Sequence, residues 1–331
     1  MAEPRRAFRR VDVVFGHLAG CSRSLRPGRV AARCSPVRAA LTCEVAAEPL
    51  AMRGSDNEVP MVAVTLGPGV RLSAIAASAP LKDAMASGVG DATGAVPWWA
   101  GLLLASWIAH APADVFRGRK VIELGCGSAP LPSAASALRG ARQALATDGC
   151  PNAVRAALFV LQRNGAAIQS CTARRLAWEE ATPSADQGAW DVVLFADALY
   201  TTDAAELLSL AIEPLIPKDG EVIGAVGLYR EGSAGIFRAM RRRGFVAQEI
   251  SVLEPVLASA MQAALILVSA NPFDLSEGHL ARRDRCKLVR WVRRGQHKGT
   301  EAPSDMAEQL REQAVDALYQ SEMALEWMPS E

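Results

Sequence analysis

Residues 121–127 read Val-Ile-Glu-Leu-Gly-Cys-Gly, and this heptapeptide restricts the fold more than any other stretch of the chain. Apolar residues make a short buried strand, and an acid and two glycines come at its carboxyl end. Gly125 and Gly127 remove the side chains that would hold a ligand off the backbone. In an open parallel sheet, the crevice beyond such strand ends is where nucleotide-like ligands bind. A pyrophosphate-cradling turn would need a third glycine at position 130, where this chain has Pro130. The loop therefore favours a cofactor without phosphates.

Asp148 follows Gly127 by 21 residues, at the end of a second strand expected over 142–147. A carboxylate there can accept hydrogen bonds from both hydroxyls of a ribose. Asp148-Gly149 is also a common turn dipeptide. Taken in order, strand, glycine loop, helix, strand and acid point away from NAD and towards S-adenosylmethionine (SAM).

The surrounding pattern predicts an α/β fold. Met61 to Ile75 alternates around Gly67-Pro68-Gly69 and reads as a hairpin, and Trp98 to Ala109 reads as an apolar helix. Strands are expected at 119–124, 142–147, 168–176, 191–196 and 220–226, with helices at 130–139, 151–164, 203–215 and 233–243. Two late strands, near 246–252 and 263–269, would close the pattern as an antiparallel hairpin. The alternation implies a doubly wound α/β sandwich, and its closing hairpin resembles the class I SAM-dependent methyltransferases. The expected architecture is therefore a doubly wound seven-stranded sheet of that type, with an N-terminal hairpin and a C-terminal helical tail. Its domain spans 59–275, between a leader at 1–58 and a segment at 276–331 that is basic and then acidic.

Charge is segregated behind a net value of +1. Residues 1–43 carry nine arginines against Glu3 and Asp12, and 278–298 carry eight Lys or Arg against Asp284. That leaves 18 basic and 24 acidic residues for 44–277, which counts against a nucleic-acid grip on the body. The Arg-, Ala- and Ser-rich leader reads equally as a plastid or mitochondrial transit peptide, with 37–40 a candidate cleavage region, or as a basic extension of a cytoplasmic protein. The seven cysteines form no CxxC, and the four histidines are scattered, so neither a metal site nor a disulfide framework is expected. The run 92–113 contains Pro97, Gly101 and His110 and is too short in its apolar part to span a membrane.

Two further stretches fall at strand ends. Leu176-Ala177-Trp178 ends the third strand, where an indole could flank an adenine or simply join the core. Phe195-Ala196-Asp197-Ala198-Leu199-Tyr200 puts a carboxylate and a phenol beside the cofactor crevice. Asp197 could cap the following helix, but Thr202 or Asp203 suits that role better, which favours a functional carboxylate.

With Gly94-x-x-x-Trp98, Glu123-Leu-Gly-Cys-Gly127, Asp148, Leu176-x-Trp178 and Asp197-Ala-Leu-Tyr200 in order over about residues 60–270, the chain resembles the seven-β-strand protein lysine methyltransferases. The resemblance implies a cofactor set of Trp98, Glu123, Gly125, Cys126, Gly127, Asp148, Trp178 and Ala196. Thr147-Asp148-Gly149 and the missing third glycine are most similar to the calmodulin-lysine methyltransferase branch, although Tyr200 stands where that branch tends to Phe.

The expected substrate is thus a protein presenting a lysine to a monomeric enzyme. Asp197 would orient the substrate ammonium and the cofactor, and Tyr200 would shape the lysine channel. A small-molecule or RNA methyltransferase is the alternative, though no Asn-Pro-Pro-Tyr-type motif follows strand four. A non-catalytic SAM-binding fold is a third reading. Residues 303–327 place Val315, Leu318, Tyr319, Met323 and Trp327 on one stripe of a tail helix. The run 282–294 reads as a solvated basic surface, with Arg282, Arg283, Arg290 and Arg293 a docking site for an acidic protein.

Overall fold

In the computed structural model, the residues described are 47–48, 61–75, 92–95, 97–180, 189–230, 232–270 and 285–296. The leader, apart from its strand residues 47–48, lies outside them, as do the tail helix, Arg282 and Arg283. Alternating strands and helices give β4 (Lys120–Leu124), α2 (Leu131–Leu138), β5 (Gln143–Asp148), α3 (Pro151–Asn164), β6 (Cys171–Arg175), β7 (Val192–Ala196), α4 (Thr202–Leu215), β8 (Glu221–Gly227), α5 (Ser233–Arg242) and β9 (Phe245–Ile250). Each lies within a few residues of its predicted place. α6 (Glu254–Ala270) and β10 (Cys286–Arg293) follow.

The seven-stranded sheet has the order β6-β5-β4-β7-β8-β10-β9. β6, β5, β4, β7 and β8 run parallel, and β10 is antiparallel to both β8 and β9. This is the class I methyltransferase sheet, and its strand order reverses between β4 and β7. A ligand crevice belongs at that switch point, beyond the carboxyl ends of both strands.

The last hairpin corrects the sequence reading. Residues 263–269 lie inside the 17-residue helix α6, because a short apolar run fits a buried helix as well as a strand. The seventh strand is β10, beyond the boundary expected at 275 and within the run read as solvated. Its cations are taken up by neighbours. Arg290 pairs with Glu221 of β8, Lys287 reaches Glu249 of β9 at 2.8 Å, and Arg293 donates to the Arg243 carbonyl at 3.1 Å. Between them Trp291 is buried, its ring 5.5 Å from Phe195 and 5.7 Å from Phe237. Arg290 and Arg293 are therefore part of the sheet's own ion pairing and hydrogen bonding.

The N-terminal hairpin forms as expected, β2 (Met61–Gly67) pairing with β3 (Val70–Ile75), and β1 (Ala47–Glu48) adds a third short strand. Helix α1 (Trp99–His110) packs against β2, α2, α6, β7 and β8. It is apolar around most of its circumference, as a helix enclosed on all sides must be. Just before it, Gly94, Pro97 and Trp98 line the same cleft as residues at the carboxyl ends of the strands. No helix among the described residues is long and apolar enough to cross a membrane.

Candidate active site

The loop after β4 is braced from three directions. Gly125 and Cys126 both donate backbone N–H bonds to the Thr147 carbonyl at 2.9 Å, and the Thr147 hydroxyl donates to the Glu123 carbonyl at 2.7 Å. The Asp148 carboxylate accepts the N–H of Gly127 on one oxygen and that of Cys150 on the other, each at 2.9 Å. The Ser128 backbone N–H donates to the Gly94 carbonyl at 2.7 Å, which fastens Gly94 to the loop. Gly125 and Gly127 have φ of +76° and +58°, which side-chain-bearing residues adopt only under strain. A Cβ on Gly127 would also lie 2.8 Å from the Gly94 carbonyl oxygen.

Glu123 is buried against the first turn of α2. Its Oε2 accepts the backbone N–H of Ser133 at 3.0 Å and the Ser133 hydroxyl at 2.6 Å. Burial raises its pKa to about 7, against the Ser133 hydrogen bonds and with a smaller push from Asp148. Cys126 donates its thiol to the Gly127 carbonyl at 3.3 Å, and burial holds that thiol protonated.

A cleft of about 470 Å³ opens at these strand ends, within the range of small-molecule sites. Its lining includes all eight residues expected to hold the cofactor: Trp98, Glu123, Gly125, Cys126, Gly127, Asp148, Trp178 and Ala196. Tyr200 lines it too. Sequence reasoning missed Cys150, Arg175 and Glu179, which also face it. Arg175 ties the β5 and β6 ends together, donating to the Gly149 carbonyl at 3.1 Å and to Glu180 at 2.8 Å. No pattern marked these three, beyond their closeness to Asp148 and Trp178.

Asp197 is at the sheet edge but does not line the cleft. It is 2 % exposed, and its φ of +48° is the one positive value at a non-glycine among the described residues. That backbone turn sends the carboxylate towards the end of β8. There the Tyr229 hydroxyl donates to Oδ2 at 2.9 Å, and Arg230 donates from Nε to Oδ1 at 3.1 Å and from Nη2 to Oδ2 at 2.9 Å. Burial first, then the Asp197 charge and hydrogen bond, push the Tyr229 phenol well above its ordinary range. Thr201, one residue before the expected caps, closes the start of α4 by accepting the Ala204 N–H at 3.2 Å. Tyr229 and Arg230 were missed; their one signal is an aromatic and a cation directly after a strand.

The lining suits SAM. Glycine backbones allow close approach beside Asp148, whose carboxylate has about four lone-pair sites and so can accept a diol as well as two amides. Leu176, Ala177 and Trp178 offer an apolar wall for a base. Among the described residues, no group of three or more His, Cys, Asp or Glu is placed to hold a metal ion.

Residues 82–243 match the family model described as lysine methyltransferase. Similar solved structures include a ribosomal protein L11 methylase from Lactobacillus delbrueckii subsp. bulgaricus, with 16% identity, 59% of this chain and 78% of that one covered, and a TM-score of 0.39. A magnesium protoporphyrin IX methyltransferase from Synechocystis PCC 6803 with bound SAM has 18% identity, coverage of 59% and 80%, and a TM-score of 0.41. A geranyl diphosphate C-methyltransferase from Streptomyces coelicolor A3(2) has 10% identity, coverage of 56% and 77%, and a TM-score of 0.42. No curated protein sequence matches at a significant level. The fold and the site are those of a SAM-dependent methyltransferase, and residues 82–243, just under half of the chain, are similar to the lysine methyltransferase family.

Proposed function

We propose that this methyltransferase modifies the ε-amine of a lysine in a protein substrate. The observation that carries the reading is the pair of aromatic walls, Trp98 and Tyr200, lining the cleft inside the stretch that matches the lysine methyltransferase family. When bound, SAM supplies an electrophilic methyl group: the amine lone pair makes the N–C bond while the C–S electron pair leaves on S-adenosylhomocysteine.

The chain's own task is alignment and desolvation. Asp148 would hold the ribose, Gly125, Cys126 and Gly127 would give the cofactor close backbone contact, and Trp178 would flank the adenine. Glu123 would fix the loop through α2, and Ala196 would leave room beside the reacting centre. A lysine with pKa of about 10.4 costs about 4 kcal/mol to present as a neutral amine near pH 7.4. Apolar walls at Trp98 and Tyr200 reduce that cost by disfavouring the ammonium. No general base is needed, since water can take the proton before the amine is enclosed.

Asp197 enters this scheme differently from the sequence expectation. Held by Arg230 and Tyr229, it would position the acceptor side through them. The motif details that resemble the calmodulin-lysine branch make a calmodulin-like protein the first acceptor to try. Full-length protein incubated with radiolabelled SAM and a cell lysate should label a discrete protein band, with the label on lysine after hydrolysis. Tyr200→Ala should lose at least about tenfold in labelling while keeping SAM affinity. Label confined to RNA or small molecules would overturn the reading.

A further inference from the structure

Asp197 stands where an acceptor-orienting carboxylate was expected, yet its charge is already engaged. Arg230 grips both of its oxygens, at 3.1 and 2.9 Å, and the Tyr229 hydroxyl adds a third bond at 2.9 Å. Bidentate arginine–carboxylate contacts are among the strongest and most directional hydrogen bonds in proteins. The Asp197 side chain is 1% exposed and that of Arg230 19%. The guanidinium carbon also lies 5.0 Å from the Trp98 ring centre, 4.6 Å from Tyr200 and 5.1 Å from Tyr229. Trp98 and Tyr200 line the cleft, whereas Asp197, Tyr229 and Arg230 do not. The guanidinium thus has the Asp197 carboxylate and two cleft-lining rings, Trp98 and Tyr200, as neighbours.

Three rings and a carboxylate are the chemistry of an alkylammonium receptor. Here the receptor is filled by the protein's own cation. An amine entering beside Trp98 and Tyr200 meets rings backed by positive charge, and a positive neighbour disfavours the ammonium form. Behind Asp197, Cys286 of β10 is a buried thiol, its pKa pushed up by burial first and then by the Asp197 charge. Glu123, Asp148, Glu179 and Arg175 face the cleft from the ends of β4, β5 and β6.

We propose that Arg230 is a specificity-determining positioning residue. It masks Asp197, holds Trp98 and Tyr200 as walls, and so admits the acceptor as a neutral primary amine. The proposal rests on the amine-acceptor reading above and adds the device that selects the protonation state.

The test uses the full chain loaded with SAM, titrated with tetramethylammonium chloride at constant ionic strength and followed by tryptophan fluorescence. Arg230→Met leaves the rings and unmasks Asp197, so it should bind the cation about tenfold more tightly than the unmodified protein. Asp197→Asn combined with Arg230→Met removes both charges and should return binding to the original level. In labelling assays, Arg230→Met should move the acidic limb of the pH profile up by about one unit, and the double variant should not. Should Arg230→Met be too unstable to titrate, Arg230→Gln keeps a hydrogen bond to Asp197 without the charge and carries the same expectations. Tetramethylammonium binding no tighter than in the unmodified protein, at unchanged SAM affinity, overturns the proposal. So does a double variant that binds as tightly as Arg230→Met. Failure of the unmodified protein to label any lysine would sink the lysine reading alone, since the cation titration involves no acceptor.

Discussion

Glu123 carries the clearest consequence of burial at a single residue. Its folded pKa of about 7 exceeds the ordinary 4.5. Below the lower value the group is protonated in both states and costs nothing. As pH rises from 4.5 to 7, the unfolded chain releases the proton first, so stability falls, and above 7 the loss is constant. Glu123→Gln keeps an acceptor for Ser133 and has no such slope. Between about pH 5 and 8 its stability relative to the unmodified protein should rise by about 2–3 kcal/mol. Urea denaturation of both proteins at the two pH values checks this, and parallel losses would exonerate Glu123. Gly127→Ala tests the loop itself. With φ at +58° and the Gly94 oxygen 2.8 Å from where the added methyl would lie, there is no room for relaxation in place. The substitution should cost about 1–3 kcal/mol and abolish SAM binding by calorimetry. Such residues were readable because backbone geometry demands glycine wherever the loop occurs. The engagement of Asp197 by Arg230 was not, because 33 residues separate a pair that meets only through the β7–β8 register.

At the scale of elements, alternation and glycine punctuation made the parallel core legible from β4 through β8. The misplaced last strand shows where that reading fails. Residues 263–269 are apolar without a period that distinguishes helix from strand. Cys286–Arg293 hides a strand under cations whose partners lie on β8 and β9. Its inner positions are Cys286, Leu288, Val289 and Trp291, all buried. If β10 is a structural strand, Trp291→Ala should destabilise the protein by about 3–5 kcal/mol, since it empties the space between Phe195 and Phe237. A change below about 1 kcal/mol in chemical denaturation, the level of a surface site, would contradict the packing.

Across the whole molecule, the cleft is assembled from residues that are distant in sequence: Gly94, Pro97 and Trp98, the loop 125–127, Asp148, Trp178, and Ala196, Ala198 and Tyr200. A ligand that contacts all of them binds the folded chain alone and therefore stabilises it. At a SAM concentration about 100 times the dissociation constant, the gain is about 2.7 kcal/mol. For a domain of this size that corresponds to a Tm increase of about 5–10 °C. Trp98 is only partly buried and precedes the enclosed helix α1, so its removal should leave the ligand-free Tm within about 2 °C. If it closes the cleft over the cofactor, Trp98→Ala should nevertheless reduce the SAM-induced increase at the same ligand concentration. Asp148→Ala should behave differently, lowering the ligand-free Tm because the N–H groups of Gly127 and Cys150 lose their acceptor, and abolishing the increase as well. Differential scanning calorimetry with and without SAM separates the two. An unchanged SAM response in Trp98→Ala would place the indole on the acceptor side alone, with Tyr200 and Arg230.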